Sequence, residues 1–211
     1  LHYSPLMAGL LLLPAMVPIM LMAPVGGHLR DNYGPTLPMF CGALLVVLSL
    51  IWIAIFSHNR GYAWLFPGLL VYGIGMPLIL SGIMATVMNM VNAQQRGMAS
   101  AIFNCARQFG NTIGLALLTG LLASVNKWQL NSFLHHSPVP LSRLKEQQID
   151  GLLVQSDQAM KAIAHLSLAH IELLKTAALN AYTNAFSMTL LAAAILAFLS
   201  LFLILKIPRK Q

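Results

Sequence analysis

Charge is what this chain has least of. Of 211 residues only 8% are Asp, Glu, Lys or Arg, and five are acids, whereas about a quarter of an ordinary soluble domain is charged. That shortage excludes a water-soluble globular fold. Cysteine is scarce too: Cys41 and Cys105 stand in separate apolar segments without metal-ligand spacing, so both read as packed, reduced thiols rather than as a disulfide framework or a metal site. A basic cluster is also missing. The net charge is +7, but Lys and Arg are scattered singly at the ends of apolar blocks, where they read as membrane-edge anchors and cannot track a phosphate backbone. Nucleic acid is therefore not expected as a partner. With no nucleophile elbow, phosphate-binding glycine loop or zinc spacing, no catalytic residue, metal or enzyme activity is expected either.

What the chain does have is apolar length. It is 58% hydrophobic with a mean hydropathy of +0.75, and these residues gather into blocks of about twenty or more, enough for a helix to cross roughly 30 Å of hydrocarbon. The expected fold is an all-α polytopic membrane protein with five spans, at about 6–29, 37–56, 63–91, 98–125 and 176–205. Pro14, Pro18, Pro24, Pro67 and Pro77 fall inside these runs; a membrane helix tolerates them because neighbours re-satisfy the freed carbonyls, and kinks are expected. Residues 126–175 are too polar to cross and predict a loop with amphipathic surface helices, followed after the last span by a basic tail, 206–211.

Five spans put the two ends on opposite sides. With the carboxyl end in the cytoplasm, Arg30, Arg96, Lys206, Arg209 and Lys210 all fall inside, the orientation the positive-inside rule favours, and the long loop is extracytoplasmic. The start at Leu1, without a basic leader region or a small-residue cleavage site, predicts a piece of a longer chain. His135 and His136 are adjacent and do not share a helix face, so they read as a solvated pair.

Two segments carry the functional signal. After the first span, Gly27, Leu29, Asp31 and Gly34 form G-x-L-x-D-x-x-G. Glycines permit a tight turn, and a carboxylate near a helix end can accept from a neighbouring helix N-terminus or pair with Arg. Two readings stand: a latch made in one conformation and broken in another, or a solvated turn. In the fourth span, Ser100, Asn104, Arg107, Gln108 and Asn111 are spaced i, i+4, i+7, i+8, i+11 and make one polar stripe opposite Ile102, Phe109, Ile113 and Ala116. Arg107 sits roughly 14 Å into that span, where a charge costs at least about 2.5–3.5 kcal/mol. It either lines a substrate path or anchors helix packing through backbone carbonyls. Gly110 and Gly114 beside it have small-xxx-small spacing, and Gly73, Gly75 and Pro77 in the third span allow close approach and bending. The second span has no polar stripe and is expected to be lipid-facing scaffold. Thr176, Asn180, Asn184 and Ser187 share one face of the fifth, set to meet the long loop or line an outer vestibule.

The G-x-L-x-D-x-x-G segment resembles the loop signature of the major facilitator superfamily in the degenerate form of its second half, with Arg30, Asn32 and Pro35-Thr36 departing from the usual pattern. "ARQFGNTIGLAL" resembles a stretch of the 14-helix drug:proton antiporters of the EmrB/QacA type, and "YGIGMP" the glycine-rich tenth core helix. The resemblance implies core helices eight to twelve of that fold, in the carboxyl-terminal six-helix bundle, with the amino-terminal half of the same chain missing. It implies multidrug efflux of small amphiphilic substrates in the lipid bilayer of the cell membrane, by alternating access, with no cofactor and a proton gradient as the energy source. The five acids, Asp31, Glu146, Asp150, Asp157 and Glu172, all lie outside the expected spans, so coupling comes from the resemblance alone. The alternative is a non-transporting membrane subunit whose outer loop recruits a partner such as a periplasmic adaptor. A membrane enzyme or lipid flippase is the weakest reading, for want of catalytic residues.

Overall fold

Pro14 decides how the first apolar run folds. Its ring collides with the carbonyl four residues back and it has no N–H to donate, and the chain responds by breaking: α1 spans Pro5–Leu10 and α2 spans Leu13–Tyr33. At the break, Leu12 N–H bonds the Gly9 carbonyl and Ala15 N–H bonds the Leu12 carbonyl. The span expected over 6–29 is thus present as two helices. The computed structural model describes residues 5–59, 61–136 and 168–206, and among them every regular element is helical. After α2 come α3 (Thr36–Phe56), α4 (Tyr62–Asn89), a 3-10 turn (Ala93–Gln95), α5 (Arg96–His136) and α6 (Leu168–Leu205). Four segments, Thr36–Phe56, Tyr62–Asn89, Ala93–Ser132 and Thr176–Leu205, are long and apolar enough to cross a membrane. α2 carries Pro18 and Pro24 within it and His28, Arg30 and Asp31 near its end, which dilute its apolar character.

The connection expected as a loop over 126–175 is partly helical. α5 continues through Asn126–Ser132 to His136, and α6 starts at Leu168. At about 1.5 Å per residue the 41 residues of α5 run for roughly 60 Å, twice the hydrocarbon thickness. Hydropathy marks where the membrane ends, and a helix need not stop there. Residues 137–167, with the amphipathic pattern expected for a partner-recruiting loop, lie outside the described residues, as do Arg60, Arg209 and Lys210.

The chain divides into two compact units, Leu1–Ala116 with Leu190–Gln211, and Leu117–Thr189. In the first, α2, α3 and α4 pack together through small residues. Apolar burial gives little drive between helices in lipid, so close backbone approach and van der Waals contact must hold them. A methyl on Gly42 would lie 2.7 Å from the Gly75 carbonyl oxygen, and one on Gly75 would lie 2.8 Å from that of Gly42. Gly73 abuts the Ala15 carbonyl of α2, and Gly26 leaves room for the Ser81 hydroxyl. α3 is the best-covered helix of the unit: Met39, Ala43 and Val47 join Leu201 and Ile204 of α6 in a buried cluster, with Phe40, Ile51, Ile79 and Ile83 against it. The lipid-facing role expected for the second span is therefore corrected. Lacking a polar stripe does not send a membrane helix to the lipid, since the bundle interior is apolar too. In the second unit, Leu130, Ala178, Ala181 and Ala185 are buried.

The helix ends mark the membrane edges. Where α3 meets α4, Phe56 stacks on Trp64 at a centroid separation of 5.1 Å and meets Trp52 in a tilted contact at 4.5 Å, and the Trp52 indole N–H donates to the Trp64 carbonyl at 2.9 Å. Half-exposed aromatics of this kind suit the headgroup level. The opposite edge carries the charges of the α2–α3 and α4–α5 junctions.

Candidate functional site

Four helix ends meet at that charged edge: the carboxyl ends of α2 and α4 and the amino ends of α3 and α5. α2 runs on past Leu29 to Tyr33, so Arg30 and Asp31 lie in its last turn and not in a loop as the sequence suggested. The turn itself is Gly34 and Pro35. Gly34 has φ +79°, which a residue with a side chain rarely adopts, and its N–H caps the helix on the Arg30 carbonyl at 2.9 Å. Pro35, with φ −71°, leads into α3 without a donor to waste.

Asp31 opposes the dipole at the end of α2, and Arg30 offsets it: Nη2 and Nε of Arg30 lie 2.8 and 2.9 Å from Asp31 Oδ1. Both side chains are more than a third exposed, and such a pair contributes about 0–1 kcal/mol. His28 and Asn32 are hydrogen-bonded one turn apart at 3.1 Å. Beside the pair, a cleft of about 450 Å³ opens between Gly34 and Pro35, the end of α4 at Met84, Met88 and Asn89, and Arg96 at the start of α5. Arg96, expected only as a cation on the cytoplasmic side, and Asn89, a polar residue of the third span, are site residues that the sequence does not single out. Each is an isolated polar residue at the edge of an apolar block, and only the packing of four helix ends shows that they share one cleft.

The expected polar stripe lies on α5. Asn104, Arg107, Gln108 and Asn111 are exposed and Ser100 is half-exposed; among the described residues the Arg107 side chain has no ionic or hydrogen-bond partner. Ile102, Phe109 and Ile113 on the other side are 62%, 71% and 57% exposed. Among the described residues little covers the helix along this stretch, where only Phe103 and Gly114 are partly buried. A methyl on Gly110 or Gly114 would meet no atom within 4 Å.

The remaining sites named from sequence fall elsewhere. Gly73 and Gly75 occupy the α2–α4 and α3–α4 contacts, with Pro77 buried between them and the cleft. Gly27 borders open space, and its neighbour Gly26 makes the close contact. On α6, Ser187 is buried and Asn180 exposed. Among the described residues no group of three His, Cys, Asp or Glu gathers as for a metal.

A sequence model described as the Major Facilitator Superfamily matches residues 1–139. "Multidrug resistance protein Stp" of Mycobacterium tuberculosis is 34% identical over 142 residues, 67% of this chain and 26% of that protein. An "Uncharacterized MFS-type transporter YhcA" of Bacillus subtilis is 30% identical over 120 residues, 56% of this chain and 22% of that one. The "Tetracenomycin C resistance and export protein" of Streptomyces glaucescens is 28% identical over 121 residues, 57% of this chain and 22% of that one. The chain thus spans about a quarter of the length of the curated relatives it matches.

Proposed function

The chain belongs to the Major Facilitator Superfamily, and on that premise we propose that it supplies most of the carboxyl-terminal half of a multidrug efflux transporter of the 14-helix type. Small amphiphilic substrates cross the cell membrane beside α5, whose polar stripe lines a central cavity closed by the amino-terminal half of the same protein. The carboxyl end is cytoplasmic, and movement is by alternating access driven by proton antiport. One observation carries the reading: α5 presents Asn104, Arg107, Gln108 and Asn111 on one face with no described residue against them, and an intramembrane charge in this position needs water or a partner. The printed names of the relatives, multidrug resistance and export, agree with it. Asp31 sits in the last turn of α2 at the charged edge, and no acid falls within α3, α4, residues 96–125 of α5 or residues 176–205 of α6, so the proton-coupling carboxylate belongs to the amino-terminal half.

Asp31 serves in this scheme as a latch. Its present partner is its own neighbour Arg30, and two residues of one helix move together, so the latch works by exchanging Arg30 for a group on another helix in a second state. The test uses the protein at its full natural length in proteoliposomes with an imposed pH gradient and a panel of amphiphilic drugs. Gradient-dependent drug movement is expected. Arg107→Ala should cut transport at least tenfold, and Asp31→Asn should slow it, at undiminished expression. Absence of movement for every compound sinks the efflux reading, and equal loss of transport and expression in Arg107→Ala returns that residue to a packing role.

A further inference from the structure

The cleft at the α2–α3 and α4–α5 junctions holds, besides the Arg30–Asp31 pair, a cation and an amide that the efflux reading does not use. Its polar lining holds two arginines against one carboxylate, with Asn89 as an amide. The charges are not equivalent. Asp31 is taken up by Arg30 through two contacts to the same oxygen, whereas the Arg96 side chain is exposed and has no ionic or hydrogen-bond partner among the described residues. The cleft therefore carries one uncompensated positive charge.

Polarity also changes along its wall. Going down α4 toward the membrane edge, the lining passes from Met84 and Ala85 through Met88 to Asn89, and Arg96 follows across the 3-10 turn. Apolar side chains lie toward the hydrocarbon and the cation toward water, the order in which an amphiphile's tail and head are arranged. The volume, about 450 Å³, is within the range of small-ligand sites. Basic pockets between membrane helices take lipid headgroups for this reason: the phosphate meets a cation at its own depth while the acyl chains stay in the bilayer.

We propose that this cleft binds an anionic phospholipid, its phosphate held by the Arg96 guanidinium with Asn89 beside it and the first acyl carbons against Met84 and Met88. In this conformation Arg30 is held by Asp31 and sets the rim. A bound lipid bridges α4 and α5 across the short segment from Met90 to Gln95. The inference rests on the membrane fold and not on the efflux reading, so each can fail without the other.

Native mass spectrometry of the full-length protein, released from a mixture of phosphatidylglycerol and phosphatidylcholine, provides the test. The wild-type protein should retain phosphatidylglycerol in preference to phosphatidylcholine. One basic residue at a membrane surface corresponds to about a fivefold preference for anionic lipid, so Arg96→Gln should lower retained phosphatidylglycerol by about fivefold or more, and Arg96→Lys should keep most of it. Met88→Trp fills the cleft while leaving both arginines in place, and should lower retention comparably. Millimolar inorganic phosphate should not displace the lipid. Retention unchanged in both Arg96→Gln and Met88→Trp overturns the proposal, as does displacement by inorganic phosphate, which would make a free anion the ligand.

Discussion

The carbonyl of Leu11 loses its place in the helical ladder because Ala15, its natural partner four residues on, bonds the Leu12 carbonyl instead at 3.0 Å. The Tyr62 hydroxyl, from the start of α4, donates to that freed oxygen at 2.6 Å. A carbonyl left unpaired away from water costs about 1–3 kcal/mol, more than a typical bond contributes net. Tyr62→Phe should therefore destabilise the full-length protein by about that amount, read as a lower midpoint of thermal unfolding in detergent; an unchanged midpoint would mean that solvent already serves this oxygen. Individual residues such as these were the hardest to read in the sequence. Spacing alone named Gly27 and Gly34 together, yet Gly34 is held by its positive φ and Gly27 borders open space while Gly26 makes the contact. Which of two adjacent glycines faces a neighbour depends on the rotation of the helix, and composition does not encode that rotation.

Helices were more legible than residues, though unevenly. The apolar runs announced α3, α4 and α6 because a segment that crosses hydrocarbon must be apolar along its whole length. Their ends were less readable, as α5 shows by continuing eleven residues beyond Val125 into sequence that is polar but still helix-forming. The pairing of α3 with α4 was invisible for a different reason. Gly42 is the single glycine in its span, and its meaning comes from Gly75 on the helix it meets, each carbonyl occupying the space a methyl on the other would need. Gly42→Ala should force these two backbones apart and cost about 1–3 kcal/mol, as overpacking does, whereas Gly27→Ala, with nothing within 4 Å, should be neutral or slightly stabilising because Ala favours helix. Thermal unfolding of the two variants side by side checks the contrast. Equal effects would show that helix propensity, not contact, governs both sites.

At the scale of the whole molecule the question is what covers α5. Between Ile102 and Leu117 all but Phe103 and Gly114 are exposed, on polar and apolar sides alike, an arrangement no membrane environment serves uniformly: lipid suits Phe109 and Ile113 but not Arg107, and water the reverse. A transporter resolves the conflict by giving the helix two surroundings, a watery cavity on one side and lipid or protein on the other. That division predicts a periodic reactivity. In a full-length protein whose Cys41 and Cys105 are replaced by Ser, single cysteines at Ser100, Asn104, Gln108 and Asn111 should react with a membrane-impermeant maleimide, and cysteines at Ile102, Phe109, Ile113 and Ala116 should react at least about tenfold more slowly, because the thiolate that attacks forms poorly in apolar surroundings. The rate should rise and fall with the 3.6-residue period of the helix. A drug carried by the protein should slow the first group and leave the second unchanged. Uniform rates along the helix, or faster reaction on the Phe109 side, would turn the stripe away from the cavity and leave Arg107 as a group that anchors packing.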